Sequence, residues 1–119
     1  MKNTIFYLKT CGTCRKILSE IPNLFDFECV NIKENSLTLS QIDELAAMTG
    51  SYEALFSRKA KLYRELGLHE QELTEADYRR YLAEHYSFLS RPVIIFRDTI
   101  YVGSGKNNVD AFRKALAHD

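Results

Sequence analysis

The sequence predicts an α/β domain in which a β-α-β opening and a β-β-α ending are separated by a helical insertion. Three observations carry this. Two short apolar, strand-like stretches flank an amphipathic helical pattern between residues 4 and 32; no strand pattern occurs from about Lys33 to Ser90; and two further strand-like stretches, parted by Arg97 and Asp98, precede a last amphipathic pattern.

The elements follow in order. "TIFYL", Thr4 to Leu8, is apolar and aromatic without clean alternation, as a strand covered on both faces requires. From Gly12 onward Cys14, Ile17, Leu18 and Ile21 form the i, i+3, i+4, i+7 stripe of a helix, with Pro22 and Asn23 to stop it. "FDFECVNI", Phe25 to Ile32, alternates Phe25, Phe27 and Cys29 against more polar neighbours and reads as a second strand. In the insertion, Thr38 and Gln41 resemble a capping box, Ile42, Leu45 and Ala46 supply a buried face, and Gly50 is a plausible C-terminal cap. Tyr52, Leu55 and Phe56 suggest a short helix, and Leu62 and Leu66 another. Thr74 and Asp77 open a longer one, with Tyr78, Tyr81, Leu82 and His85 as its stripe. "PVIIF" and "TIYVG" predict a tight hairpin. "NNVDAFRKAL" predicts a final helix capped by Asn107 or Asn108. This order is that of a thioredoxin-like sandwich carrying an insert, a single domain over 1–119 with the insertion at about 36–88.

At 119 residues, 45% hydrophobic and 12% aromatic, the chain can bury one proper core. Sixteen basic and sixteen acidic side chains are interspersed and cancel, which argues against gripping nucleic acid by bulk attraction. The opening "MKNTIFYLKT" has too short an apolar run for a signal peptide, and no stretch approaches the roughly 18 apolar residues of a membrane span. The expectation is a soluble, cytoplasmic, monomeric protein without a direct nucleic-acid or membrane partner.

Cys11, Cys14 and Cys29 are an odd count, a poor basis for a secreted disulfide framework and a better fit to a reducing compartment. Cys11 and Cys14 stand at the head of the first helix, where unsatisfied N–H groups and the positive end of the dipole favour a thiolate. Lys9, Arg15 and Lys16 add positive charge, so Cys11 is expected to titrate below a free thiol and to act as the nucleophile, with Cys14 as the resolving thiol. Two other readings stand beside this one. Zinc would need a second half-site, which His69, His85 and His118 do not supply in any recognisable spacing; no metal is expected. The pair could also be two small buried residues. Cys29 is expected to be a core residue beside Phe25 and Phe27.

"CGTCRK", "SRKAKLYRELGL" and "SRPVIIF", in this order and over essentially the whole chain, resemble the family of glutaredoxin-dependent arsenate reductases and Spx transcriptional regulators. The resemblance implies a thiol oxidoreductase in which Cys11 attacks arsenate while Arg58 and Arg91 hold the oxyanion. A guanidinium fork suits a tetrahedral oxyanion and stays charged at any working pH. It implies no bound cofactor, with glutathione and glutaredoxin, or thioredoxin, as electron donor. Gly12, Thr13 and Pro92 are implied as structural parts of the site, Pro92 as a cis proline opposite the reactive cysteine. Two features depart from the reductase pattern. Gly103 stands where a third arginine is expected, with Lys106 as a charge lacking the planar fork. Cys14 is the other, since a CxxC here is more similar to Spx, whose dithiol is a disulfide switch and whose partner is the C-terminal domain of the RNA polymerase α subunit. A third reading is a general glutaredoxin-like protein that takes glutathione as substrate.

Overall fold

The computed structural model describes residues 2–118, which form two compact units: a sandwich unit comprising 2–35 and 91–118, and a helical unit over 36–90. The sandwich unit is built on a four-stranded mixed sheet of order β2-β1-β3-β4, with β1 at Thr4–Tyr7, β2 at Glu28–Asn31, β3 at Val93–Phe96 and β4 at Thr99–Val102. β1 runs parallel to β2 and antiparallel to β3, and β3 and β4 form the expected hairpin. Arg97 and Asp98 both have positive φ, 51° and 63°, which gives the two-residue turn a twist that matches its strands.

β3 is buried along its length and β1 over its first three residues, in keeping with their inner positions and unbroken apolar runs. Helices α1, Gly12–Ser19, and α5, Lys106–Ala117, supply Ile17, Val109 and Phe112, and the residue just past α1 supplies Ile21, to a core shared with Ile5, Phe27, Ile94 and Phe96. Its aromatic members interlock: the Phe27 ring stacks on Phe96 at 5.6 Å and meets the Phe112 edge at 6.3 Å. Each such ring withdrawn from water stabilises the fold by about 1.5–3 kcal/mol.

The structure corrects three expectations in this unit. Residues 25–32 are not one strand, because Leu24–Asp26 forms a 3-10 turn and pairing starts only at Glu28. Phe25 is consequently 90% exposed while Phe27 is buried. Cys29 is exposed rather than in the core, because β2 is an edge strand with β1 as its one neighbour. Partial desolvation there nudges its thiol above the ordinary range. Nor is α5 capped by Asn107 or Asn108. Gly105 is its N-cap, and the Asn108 side chain turns back to donate to the Gly103 carbonyl at 2.8 Å.

The helical unit contains α2 at Leu39–Thr49, α3 at Lys61–Glu65 and α4 at Glu75–Glu84. Thr38 and Gln41 form the expected reciprocal capping box, as do Thr74 and Asp77. Gly50 ends α2 in the left-handed region at φ 94°, with its N–H on the Ala46 carbonyl. The short helix expected around Tyr52 to Phe56 is a 3-10 turn, Glu53–Leu55. His85 lies beyond α4 in extended backbone. Phe56 stacks on Phe88 at 5.2 Å and meets Tyr78 at 4.9 Å, at the centre of this unit.

Candidate active site

The thiol turn follows β1 directly. Leu8 closes it by accepting the Cys11 N–H at 3.0 Å, and Cys11 then takes extended backbone as the N-cap of α1, with its carbonyl accepting the Arg15 N–H at 3.1 Å. An N-cap residue projects its side chain toward the free N–H groups of the first turn. Here that side chain is a thiol, which makes no capping hydrogen bond but whose pKa is lowered by the nearby Thr13 and Cys14 N–H groups. The first turn of α1 carries no acidic residue to oppose a negative charge.

The two cysteines lie in contrasting surroundings. Cys11 is partly exposed and Cys14 fully buried. Burial pushes the Cys11 thiol up, but the Cys14 N–H, the Cys14 thiol, the Thr13 N–H and the Arg91 charge together outweigh it. Cys11 lies below the ordinary thiol range. For Cys14 the balance is reversed: burial pushes it up to about 11, and the neighbouring Cys11 sulfur adds to this against the Leu8 N–H and Arg91. Of the two thiols, Cys11 is biased toward the ionised form and Cys14 toward the protonated one.

Of the residues singled out in the sequence, Cys11, Thr13, Cys14 and Arg91 act on one another. Thr13 contributes its backbone N–H rather than its hydroxyl. A Cβ on Gly12 would meet no atom within 4 Å, so close packing of the chain on itself does not require glycine there. The Arg91–Pro92 peptide is cis, and the Pro92 carbonyl accepts the Gly103 N–H at 2.8 Å. Gly103 has φ 89°, a conformation that disfavours any side chain, and this gives a physical reason why no arginine stands at that position.

Arg58 belongs to the helical unit, in the turn before α3. Its Nη2 donates to Glu53 Oε2 at 2.5 Å and to the Tyr78 hydroxyl at 2.9 Å. The Glu53 carboxylate holds the guanidinium above its ordinary value, with lesser help from Tyr78. An open polar groove beside it is lined by Tyr63, Gln71, Thr74 and Tyr78. Glu53 and Tyr78 could not be read from the motif, because one lies five and the other twenty residues from Arg58 in sequence. Among the described residues no cluster of three or more His, Cys, Asp or Glu side chains could hold a metal ion, and no helix is long and apolar enough to cross a membrane.

Comparison with known proteins agrees with this fold. The ArsC family model matches residues 6–112. Global transcriptional regulator Spx 2 of Bacillus anthracis is 23% identical over 111 residues, covering 91% of this chain and 84% of its own length. Spx of Bacillus subtilis is 26% identical over 115 residues, covering 92% and 85%. Among solved structures, an arsenate reductase from Vibrio cholerae superposes with a TM-score of 0.75 at 21% identity, over 95% of this chain and 97% of that one. An arsenate reductase (ArsC) related protein from Brucella melitensis gives 0.71 at 22%, over 96% of each. The structural likenesses establish a shared thioredoxin-like fold, and the family model, which spans nearly the whole chain, establishes membership: the protein belongs to the ArsC family, together with arsenate reductases and Spx regulators.

Proposed function

We propose that the chain is a cytoplasmic thiol oxidoreductase in which Cys11 attacks and Cys14 resolves. The observation that carries this reading is the opposite bias of two thiols three residues apart at the head of α1, Cys11 held low and Cys14 buried and pushed up to about 11.

The chemistry follows in two steps. The Cys11 thiolate attacks the electrophilic atom of the substrate, a disulfide sulfur or the arsenic of a protonated arsenate, forming a covalent adduct and expelling a thiolate or water. Burial is the largest cause that raises Cys14, and adduct formation removes the second, the neighbouring Cys11 charge, so that Cys14 ionises more readily with the Leu8 N–H and Arg91 in its favour. Cys14 then loses its proton and attacks the Cys11 sulfur. The substrate leaves reduced by two electrons, and a Cys11–Cys14 disulfide remains for glutathione with glutaredoxin, or for thioredoxin, to reduce. For an oxyanion, Arg91 supplies charge at the thiols, and Arg58 would have to exchange Glu53 for the substrate. The test is arsenite formation from arsenate with each donor, comparing the intact protein with Cys11→Ser and Cys14→Ser. Turnover that depends on Cys11 is expected. No turnover with any donor overturns the arsenate reading.

A second reading, a redox-switched regulator, is favoured by Cys14 together with the backbone of Gly103, and by curated relatives that are themselves Spx regulators. In it the same pair senses oxidants, and the protein binds the C-terminal domain of the RNA polymerase α subunit. Binding of the isolated domain by the reduced or the oxidised form supports it, whereas no binding in either state sinks it.

A further inference from the structure

The Cys11 loop is tied to the rest of the sheet through a residue that the motif does not contain. Asn31 closes β2 beside Tyr7, the last residue of β1, at the carboxyl ends of the two parallel strands. It is polar, yet only 8% exposed. Its backbone is fixed on two sides: its carbonyl accepts the N–H groups of Glu34 and Asn35 at 3.1 and 2.9 Å, and the following Ile32 N–H bonds to the Tyr7 carbonyl at 2.9 Å. With its backbone fixed, its side chain reaches across to the thiol turn, where Oδ1 accepts the Lys9 N–H at 3.3 Å.

The Lys9 N–H belongs to the same planar peptide group as the Leu8 carbonyl. That carbonyl accepts the Cys11 N–H at 3.0 Å. Because the peptide plane is rigid, fixing the direction of its N–H also fixes the direction of its C=O. Asn31 is therefore two hydrogen bonds and one peptide plane away from the backbone of the attacking cysteine.

We propose that Asn31 is a positioning residue of the dithiol, setting through the Leu8–Lys9 peptide the placement of Cys11 against Cys14. This rests on reading Cys11 and Cys14 as an attacking and resolving pair, but not on whether the substrate is an oxyanion, a disulfide or an oxidant. Loss of the acceptor frees the peptide plane to rotate, spreads the Cys11 sulfur over more orientations, and weakens both the hydrogen bonds that hold its thiolate and the closure of the disulfide.

The test compares Asn31→Leu, close in size but without an acceptor, with Asn31→Asp, close in size with the acceptor kept. Two readouts are the equilibrium constant of the Cys11–Cys14 disulfide against dithiothreitol and the pH dependence of Cys11 alkylation by iodoacetamide, with thermal unfolding as a check on folding. Asn31→Leu is expected to change the disulfide equilibrium by roughly three- to ten-fold, the range of one hydrogen bond, and to move the alkylation midpoint up. Asn31→Asp is expected to keep the disulfide equilibrium near that of the intact protein, while its carboxylate moves the alkylation midpoint up. If Asn31→Leu folds and reproduces both native values, Asn31 only fills space and the inference is wrong. Should Asn31→Leu not fold, Asn31→Ala, which also lacks the acceptor, decides in its place: native values of both readouts overturn the inference, and a changed disulfide equilibrium with a raised alkylation midpoint upholds it. If the intact protein itself shows no low alkylation midpoint, it is the reading of Cys11 as the attacking thiol that fails.

Discussion

The charges of the thiol turn and those of the helical unit are arranged in opposite ways. In the helical unit three of the four arginines are matched to carboxylates: Arg58 to Glu53, Arg79 to Asp43 and Arg80 to Asp77 and Glu84. Around the thiol turn, Lys9, Arg15 and Lys16 have no carboxylate partner among the described residues, and Arg91 acts on both sulfurs. Matched charges hold a fold in place and leave little field for a ligand. At the thiols the cation that acts is Arg91, and its charge, added to backbone N–H groups, favours a thiolate at Cys11.

The largest effect expected on this contrast is loss of Cys11 itself. Cys11→Ser should lower turnover, or the rate of oxidant-driven disulfide formation, by about two orders of magnitude or more, as removal of a nucleophile usually does. Cys14→Ala should leave the first attack in place and halt the second, so that a covalent Cys11 adduct accumulates and is seen as a mass increase in the intact protein. It should also raise the Cys11 alkylation midpoint, because a hydrogen-bond donor to the thiolate is gone.

The field can be broken separately from the thiols. Arg91→Gln removes a positive charge that lowers both cysteines, so both should titrate higher. The sign follows from the charge: a neighbouring cation favours the ionised thiol, and removing it shifts reactivity toward alkaline pH. In the helical unit the matched pairing can be undone instead. Glu53→Gln releases Arg58 from its carboxylate, and if Arg58 does bind an oxyanion the KM for arsenate should fall by up to about five-fold, the scale of an exposed ion pair. An unchanged KM would assign Arg58 to the fold alone.

The smallest effect concerns stability in acid. Asp43 accepts from Arg79 Nε at 2.8 Å and from the Tyr52 hydroxyl at 2.6 Å. These hold its carboxyl at about 2. A carboxylate depressed on folding contributes stability above its unfolded value, about 3.9, and loses it as pH falls through the folded one. Asp43→Asn should therefore flatten the fall in thermal stability between pH ~4 and ~2, with little change in that slope near neutrality.

Features that depend on a few adjacent residues are legible in the sequence alone. The strand and helix order, both capping boxes, the Gly50 cap and the hairpin at Arg97 and Asp98 are of this kind. So is the position of Cys11 ahead of a helix. Cys29 is misplaced by its pattern because alternation reports which residues share a face, not whether anything covers that face; an edge strand leaves it open. The N-cap of α5 escapes because Asn is a good cap and close at hand, whereas the Asn108 amide is committed to the Gly103 carbonyl. The Glu53 and Tyr78 contacts of Arg58 and the Asn31 contact to Lys9 bridge 5, 20 and 22 positions in sequence, beyond the reach of any local pattern. One signal for Asn31 is present, a polar residue ending a strand between Val30 and Ile32, though nothing in the sequence names its partner.

The most direct test of the central claim is the rate of alkylation at each of the three cysteines, resolved by peptide mass spectrometry as pH is swept from about 5 to 10, across the usual thiol range. The expected result is that Cys11 reacts first with a midpoint below the ordinary thiol range, exposed Cys29 follows at or above that range, and buried Cys14 lags until the most alkaline points. If Cys11 titrates with Cys29, or if Cys14 reacts ahead of it, the thiolate is not held at Cys11 and the division into attacking and resolving thiols is wrong.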